Sequence, residues 1–404
     1  MPFITRAPSR STIRLWILKF GLHKLMKPKE KLNDWVVIFD HTIQMGKLKI
    51  LIVLGISLSR LPFNRSLTLA DMQVLTLLPM KSSTGPKIEE VLINLKSDLG
   101  TIREVVADEG PDIKSGINLF RKNNPECDYI SDIVHKLAHF LKAELKNDKA
   151  WEELLKRSSE TRTRLLQTDC AHFVPPQHRD KARYLNLEKF IKWACRILKA
   201  WAGNEISIED REVIFKEFAW VFGLVDDIKH FHQLWQVTSI SRDFIRIYGI
   251  QADTAEILSR KLHILALDFR AQIFADKIVQ FVLEESAKAN SNERLLGSSE
   301  IIESLIGLVK HHANTQNRSG FTSAVLMASA LTGEINEQII LNSMTNIKMA
   351  DLKEWQKKHF DSTVQKKQAK FYRQTPLQEY DYLDEKNGTE NGTFFTVDFE
   401  PEIV

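Results

Sequence analysis

The chain has 404 residues, a hydrophobic fraction of 43% and a formal net charge of +4, which is too long for one small domain and apolar enough for at least one sizeable core. Its three cysteines form no short C-x-x-C pair, which argues against a disulfide framework or a zinc ribbon and suits a reducing cytoplasm. The most apolar run, 48–58, falls well short of the roughly 20 residues of a membrane helix and is rich in strand-favouring β-branched residues. Arg6, Arg10 and Arg14 break up any secretory signal. No membrane span is expected.

Positive charge is concentrated at the front. Arg6, Arg10, Arg14, Lys19, Lys24, Lys27, Lys29 and Lys31 face only Glu30 and Asp34 before the first apolar run, a balance that suits a phosphate backbone. Within it, residues 8–21 carry Ser and Thr capping candidates, then Ile13, Trp16, Ile17 and Phe20 at helical spacing, then a terminating Gly21. This short basic helix, in a segment 1–33, resembles the last helix of a helix-turn-helix unit. The two supporting helices of such a unit are absent from the sequence, so the helix is either the remnant of a truncated DNA-binding unit or a packing element only.

From Asp34 the texture changes. Trp35–Phe39 ends at Asp40, 48–56 forms a second run and 66–78 a third, which read as three consecutive antiparallel strands. Gly85-Pro86 opens a helix, Ile102–Val106 is a strand running into Asp108, and a helix over 112–122, a short run at Tyr129-Ile130 and a helix over 133–145 follow. Three strands followed by alternating helices and strands predict an α/β, ribonuclease-H-like mixed sheet flanked by helices. Its first part spans 34–149. Between 150 and 296, apolar residues recur at i, i+3, i+4 with few strand signals, so a large all-helical insertion is expected there. Asp226, Asp227, His230 and His232 lie in it, and on a Leu- and Trp-rich stretch they read as a solvated face with a core histidine. Helices return over 297–373, predicted at 321–331, 336–344 and 349–360 after the one that carries Glu303. The segment 374–404 is acidic and without periodicity and is expected to be disordered from about Asp381.

Asp40 and Asp108 each stand at the end of an apolar strand, where a sheet opens to ligands. In the ribonuclease-H order the first and fourth strands are neighbours, so the two carboxylates lie close together and call for cations. Hard oxygen ligands without thiolates point to Mg²⁺ or Mn²⁺. Glu303, with Lys310 seven residues later on the same helical face, is the expected third carboxylate. Glu300 is the alternative third carboxylate, in the first turn, where a dipole role is ordinary. His41, Thr42 and Asp112 are placed to contact DNA or to support the ligands, Asp112 equally suiting a helix N-cap. Asp132, His135 and His139 form another polar cluster. His135-Lys-Leu-Ala-His139 mimics a metalloprotease helix but has Lys136 where the base should be.

Four blocks, 34–46, 105–116, 129–138 and 297–310, together resemble the successive blocks of a DDE-type transposase of a bacterial insertion sequence, over about residues 8–372. The resemblance implies a ribonuclease-H-like catalytic domain, an insertion between the second Asp and the Glu, and metal-dependent strand cleavage and strand transfer by Asp40, Asp108 and Glu303 with two metal ions per active site. It further implies double-stranded DNA (transposon ends and target) as partner, with Arg10, Arg14, Asp132, His135 and Lys310 as contacting or supporting residues. A homo-oligomer in the synaptic complex and a cytoplasmic, nucleoid-associated location complete the expectation. The alternatives are an inactive DNA-binding relic of such an enzyme and a nuclease of the same fold without strand transfer.

Overall fold

The computed structural model describes residues 7–45, 48–179, 184–203, 207–314, 323–360 and 364–374, excepting the side chains of 42–45, 48, 312–314, 323–324 and 364–366. Met1–Phe360 form one compact unit, and Asp361–Val404, of which the helix α15 (Val364–Gln374) is described, form a second.

The first unit opens with α1 (Arg10–Met26), β1 (Leu32–Met45), β2 (Leu48–Ser57), β3 (Gln73–Met80), α2 (Gly85–Leu99), β4 (Gly100–Ala107), α3 (Pro111–Lys122), β5 (Asp128–Ser131) and α4 (Ile133–Leu145). The five strands form one mixed sheet in the order β3-β2-β1-β4-β5. β1 pairs antiparallel with β2, and β2 with β3, whereas β1 with β4 and β4 with β5 are parallel. The physical reason is connection length: β1 turns directly into β2, while β4 and β5 are each reached through a helix, as parallel neighbours require.

Side chains alternate between two covered faces. Val36, Ile38, Ile50, Ile52, Val106 and Ile130 share one core with α4 and later helices. Trp35, Val37, Phe39, Leu51, Val53 and Val105 share the other with α2 and α3. Burial on both faces explains why β1 and β2 read as unbroken apolar runs.

Helices α5 (Lys149–Leu165), α6 (Leu187–Ala202), α7 (Ile208–Phe222), α8 (Val225–Tyr248), α9 (Thr254–His263) and α10 (Phe269–Ser286) follow, then α11 (Glu300–Asn314), α12 (Met327–Leu331), α13 (Glu337–Asn346) and α14 (Met349–His359). Trp193, Ile197, Ile214, Phe218 and Ile228 build a small core of their own between α6, α7 and the start of α8. His230 is a core histidine, with Nδ1 2.7 Å from Asp268, while Asp226 and His232 are exposed. Among the described residues no helix is long and apolar enough to cross a membrane.

Several boundaries differ from the sequence reading. Gly21 does not end α1, which continues to Met26; a Cβ there would lie 2.0 Å from the Leu326 carbonyl oxygen, so this glycine lets α12's approach segment touch the helix backbone. β1 does not stop at Asp40 but runs on to Met45, paired with β2. The third strand begins only at Gln73, because Thr68 and Asp71 close a capping box around a short 3₁₀ turn. The helix expected over 321–331 is a 3₁₀ turn, Ser323–Leu326, followed by α12, with 315–322 outside the described residues. The tail from 375 also lies outside them, and α15 falls almost wholly within the helical stretch 297–373, where the sequence reading sets it no bounds of its own.

β5 is an edge strand whose outer side is served by α10 and the turn after it. The Ser131 N–H donates to Glu285 at 3.3 Å, and Lys288 Nζ donates to the Tyr129 carbonyl at 2.7 Å. Side chains thus occupy backbone groups that would otherwise offer themselves to another strand. Arg103 on β4 reaches the same region and grips Glu293 through two bonds of 2.7 and 2.6 Å, with Asp128 at 2.6 Å. Next to it Glu104, fully buried, accepts the Leu296 N–H at 2.9 Å. Leu295 exchanges two 2.8 Å bonds with Ile250, and the Gly297 carbonyl accepts the Ile133 N–H. Residues 293–297 are therefore a strap fastened at four points, and α11 begins three residues beyond it.

Burial pushes the Glu104 carboxyl well above its ordinary 4.5. The folded protein then binds more protons than the unfolded chain as pH rises past about 4.5, so this group's contribution to stability falls with rising pH. Glu104→Gln, which keeps an acceptor for Leu296, is expected to flatten the decline in thermal midpoint between pH 5 and 9. Glu104→Leu leaves that N–H unpaired and is expected to destabilise by about 1–3 kcal/mol. Gly21→Ala, forcing a methyl onto a backbone oxygen, should destabilise by about 1–3 kcal/mol as well. Thermal melting across that pH range checks the first variant, and chemical denaturation checks the other two.

Candidate metal centre at the strand ends

Ile38 of β1 faces Val106 of β4 in the last pair of their parallel register; Asp40 follows within β1, and Asp108 follows just past the end of β4, close enough for its charge to act on Asp40. Asp40 shares the parity of Ile38, which belongs to the core that α4 and α11 cover, and Asp108 lines a cleft with Asp132 and His135 on that side. Asp40 remains paired with Ile52 of β2, whereas Asp108 is the first residue past β4. Burial pushes the Asp40 carboxyl up to about 6, and the Asp108 charge adds to the rise; the His41 N–H, His135 and Lys310 oppose it. Asp108 is fastened locally, its Oδ1 accepting the Gly110 N–H at 3.1 Å and its carbonyl accepting the Tyr129 hydroxyl at 2.9 Å.

The covering face brings three more groups to this end of the sheet. Asp132 is the N-cap of α4, accepting the Val134 N–H at 2.8 Å, and is itself buried. His135, one turn on, presents Nδ1 to Asp132 at 2.8 Å and Nε2 to Glu303 of α11 at 3.3 Å. The Ser299 hydroxyl, directly before α11, donates a short hydrogen bond to the same Asp132 oxygen. Burial alone would raise the Asp132 carboxyl, but the bonds from His135, Ser299 and Val134 hold it below the ordinary value. Asp132, His135 and Glu303 offer ligand atoms all within 4.8 Å of one another, the one group of at least three such side chains among the described residues.

A cleft of about 250 Å³ opens beside this cluster, lined by Asp108, Asp132, His135 and His139, with Glu109 and Lys136 paired at 3.2 Å. α11 packs on β1, with Ile302, Leu305, Ile306 and Val309 in the core. That orientation leaves Glu303 toward His135, and Lys310 two turns on within electrostatic reach of Asp40. Glu300 points elsewhere, to Arg246 at 3.2 Å in a separate surface cleft containing Ser66.

Of the remaining candidates, His41 and Asp112 pair with each other near Asp108. His41 has the opposite parity to Asp40, and its Nδ1 lies 3.9 Å from Asp112; burial lowers its pKa although Asp112 opposes this. Asp112 sits in the first turn of α3, while Gly110 is the N-cap. The backbone of Thr42 continues β1 opposite Ile50, and its side chain lies outside the described residues. Arg10 and Arg14 are exposed on α1. Ser299 and Glu104 were not singled out from the sequence: the Ser298-Ser299 pair signalled only a helix start, and Ser298 alone serves it, through the Glu300 N–H at 3.2 Å.

No family model matches the sequence, and no curated protein matches it. Among solved structures the chain is similar to the Drosophila P element transposase strand transfer complex, at 13% identity and a TM-score of 0.38, over 82% of this chain and 86% of that chain. A likeness of that extent carries no argument about activity.

Proposed function

We propose that the chain is a DNA transposase of the DDE type, with a ribonuclease-H-like catalytic unit, a helical insertion between Asp108 and Glu303, and a divalent-metal site formed by Asp40, Asp108 and Glu303. The observation that carries this reading is the nearness of Asp108, just past the end of β4, to Asp40 on the neighbouring strand β1, whose carboxyl is pushed up to about 6 by burial and by the Asp108 charge. Two acidic groups so placed are mutually repulsive, and the positive charges within reach, His135 and Lys310, leave the pKa raised. Oxygen donors under that strain fit Mg²⁺ or Mn²⁺. Bound there, two such ions supply an activated water or 3′-hydroxyl and stabilise the leaving oxygen.

The protein's own groups do the positioning. Asp132 holds His135 through Nδ1, and His135 faces Glu303 through Nε2, so the third carboxylate is aimed by a buried anchor and not by its helix alone. Lys310, exposed on α11, is placed to meet a DNA phosphate. The exposed Arg10 and Arg14 of α1 supply further charge for the duplex. The DNA partners are the element's ends and a target duplex, with two or more copies of the chain in the assembled complex.

Cleavage and joining are measured on a duplex carrying the DNA that flanks the gene, in Mg²⁺. Asp40→Asn, Asp108→Asn and Glu303→Gln are each expected to lower the rate about a thousandfold or more, from the several kcal/mol a metal contributes. Glu300→Gln should leave it within about threefold, as for a surface ion pair; full activity in Glu303→Gln sinks the assignment. Cleavage without joining of a 3′-hydroxyl end assigns a nuclease instead. His135→Asn should cost about 10–100-fold in activity or metal affinity. Metal binding has its own readout: Mg²⁺ should raise the melting temperature of the wild type and not of Asp40→Asn. Because Asp40 has a raised folded pKa, ionising it lowers stability as pH climbs from about 4 to about 6. Without metal, Asp40→Asn should therefore be more stable than wild type at pH 7.5 and lose that advantage below pH 4.

A further inference from the structure

A cavity of about 550 Å³ lies at the other end of the sheet, where α1 passes into β1 and where β3 begins. Along β1 this is about 25 Å from Asp40, at roughly 3.3 Å per residue. Its wall carries Lys24, Lys27, Lys29 and Arg60 against Glu30, Asp71 and Glu334. Two of the three carboxylates are engaged: Glu30 holds Arg60 at 2.6 Å, and Asp71 holds Arg65, outside the cavity wall, through two bonds of 2.7 Å. That leaves three lysines facing Glu334.

Two of those lysines are fixed in place. Lys24 Nζ donates to the carbonyls of Thr332, by a short bond, and Gly333 at 3.4 Å; Lys29 Nζ donates to those of Lys24 at 2.6 Å and Lys27 at 3.0 Å. Among the described residues neither has a carboxylate partner within salt-bridge distance. An ammonium has three N–H donors; Lys29 keeps one for a ligand, while Lys24, whose Nζ also lies 4.5 Å from the Phe20 ring centroid, offers a ligand its charge. Burial pushes Lys24 down to about 8, and burial together with the charges of Lys27 and Lys24 pushes Lys29 to about 8. Positive charge is thus held in a half-buried cavity at a cost that an anion relieves. Lys27, exposed at the rim, adds a mobile donor.

We propose that this cavity binds a phosphate group through Lys24, Lys27 and Lys29. The reading does not depend on the carboxylate site, and the distance from Asp40 means that the phosphate is not the one cleaved there. The same chemistry is offered by the backbone of a nucleic acid and by a free phosphorylated compound. Lysines near pKa 8 are reactive nucleophiles at pH 8, which supplies a site-resolved readout: acetylation of Lys24 and Lys29 by an amine-reactive reagent, followed by mass spectrometry of the full chain at constant ionic strength.

Inorganic pyrophosphate, or a DNA duplex of arbitrary sequence, is expected to protect both lysines saturably, while exposed lysines such as Lys353 stay reactive under pyrophosphate. Protection by pyrophosphate and not by the duplex assigns a free phosphorylated compound; protection by the duplex assigns the polynucleotide backbone. Lys27→Gln, which removes an exposed rim side chain and leaves both fixed ammonium groups, should raise the half-protecting concentration about tenfold, the value of one charge-assisted contact. An unchanged melting temperature without ligand confirms that this variant is folded. Protection by neither probe, or protection indifferent to Lys27→Gln, overturns the proposal.

Discussion

Ile38 of β1 lies beside Val106 of β4 in parallel register, and the candidate site depends on that pairing. A slip of one residue would send one of the two following acids to the opposite face. The register is protected from such a slip because both faces are buried where the strands run to the acids: Val36 and Ile38 with Val106 share one core, and Val37 and Phe39 with Val105 and Ala107 the other, beyond an irregularity at Arg103. Two carboxylates are therefore brought together by apolar packing, and the burial of Asp40, with the Asp108 charge adding to it, raises the Asp40 pKa. Hydrophobic burial is what holds this electrostatically unfavourable pair in place.

The third carboxylate arrives by a different route. Glu303 is nearly 200 residues from Asp108, and its helix is delivered by a strap pinned through Arg103, Glu104, Ile250 and Ile133. Asp132 then ties α4 to the start of α11 through Ser299 and His135. The same strand that ends at Asp108 thus carries, in Arg103 and Glu104, the side chains that locate the approach to Glu303. Core and site are mechanically one object here, so changes at Glu104 are expected to reach the site without touching it.

Parts of this were legible in advance. The ends of the helix carrying α4's His135 were read correctly from its apolar spacing and from Asp132, since a cap and a 3.6-residue period are local signals. The antiparallel start of the sheet followed from element order, because short connections make antiparallel neighbours; the expectation that the first and fourth strands are neighbours came from the ribonuclease-H order and agrees with the sheet. Gly21 shows the opposite case. A glycine near a plausible helix end reads as a stop, yet here it marks the contact with Leu326, more than 300 residues away. Glu303 and Glu300 were hard to separate by spacing, being one turn apart; Arg246, from α8, draws Glu300 to another surface. His41 and Asp112 look close to the acids in sequence; His41, of opposite parity to Asp40, turns to Asp112 at 3.9 Å, and both remain near Asp108.

By itself the sequence determined most strands and helices, the two-sided burial of the central strands and the location of Asp108 just past a strand, because period, capping and turn chemistry act over a few residues; that β1 continues beyond Asp40 it did not. Only the tertiary structure decided that Asp132, His135, Ser299 and Glu303 converge, that a buried glutamate holds the strap before α11, and that three lysines gather round a cavity at the opposite end of the sheet. Those arrangements join elements separated by tens to hundreds of residues. No local pattern encodes them; they follow from how apolar faces share two cores, and the polar groups are carried to wherever that packing leaves them.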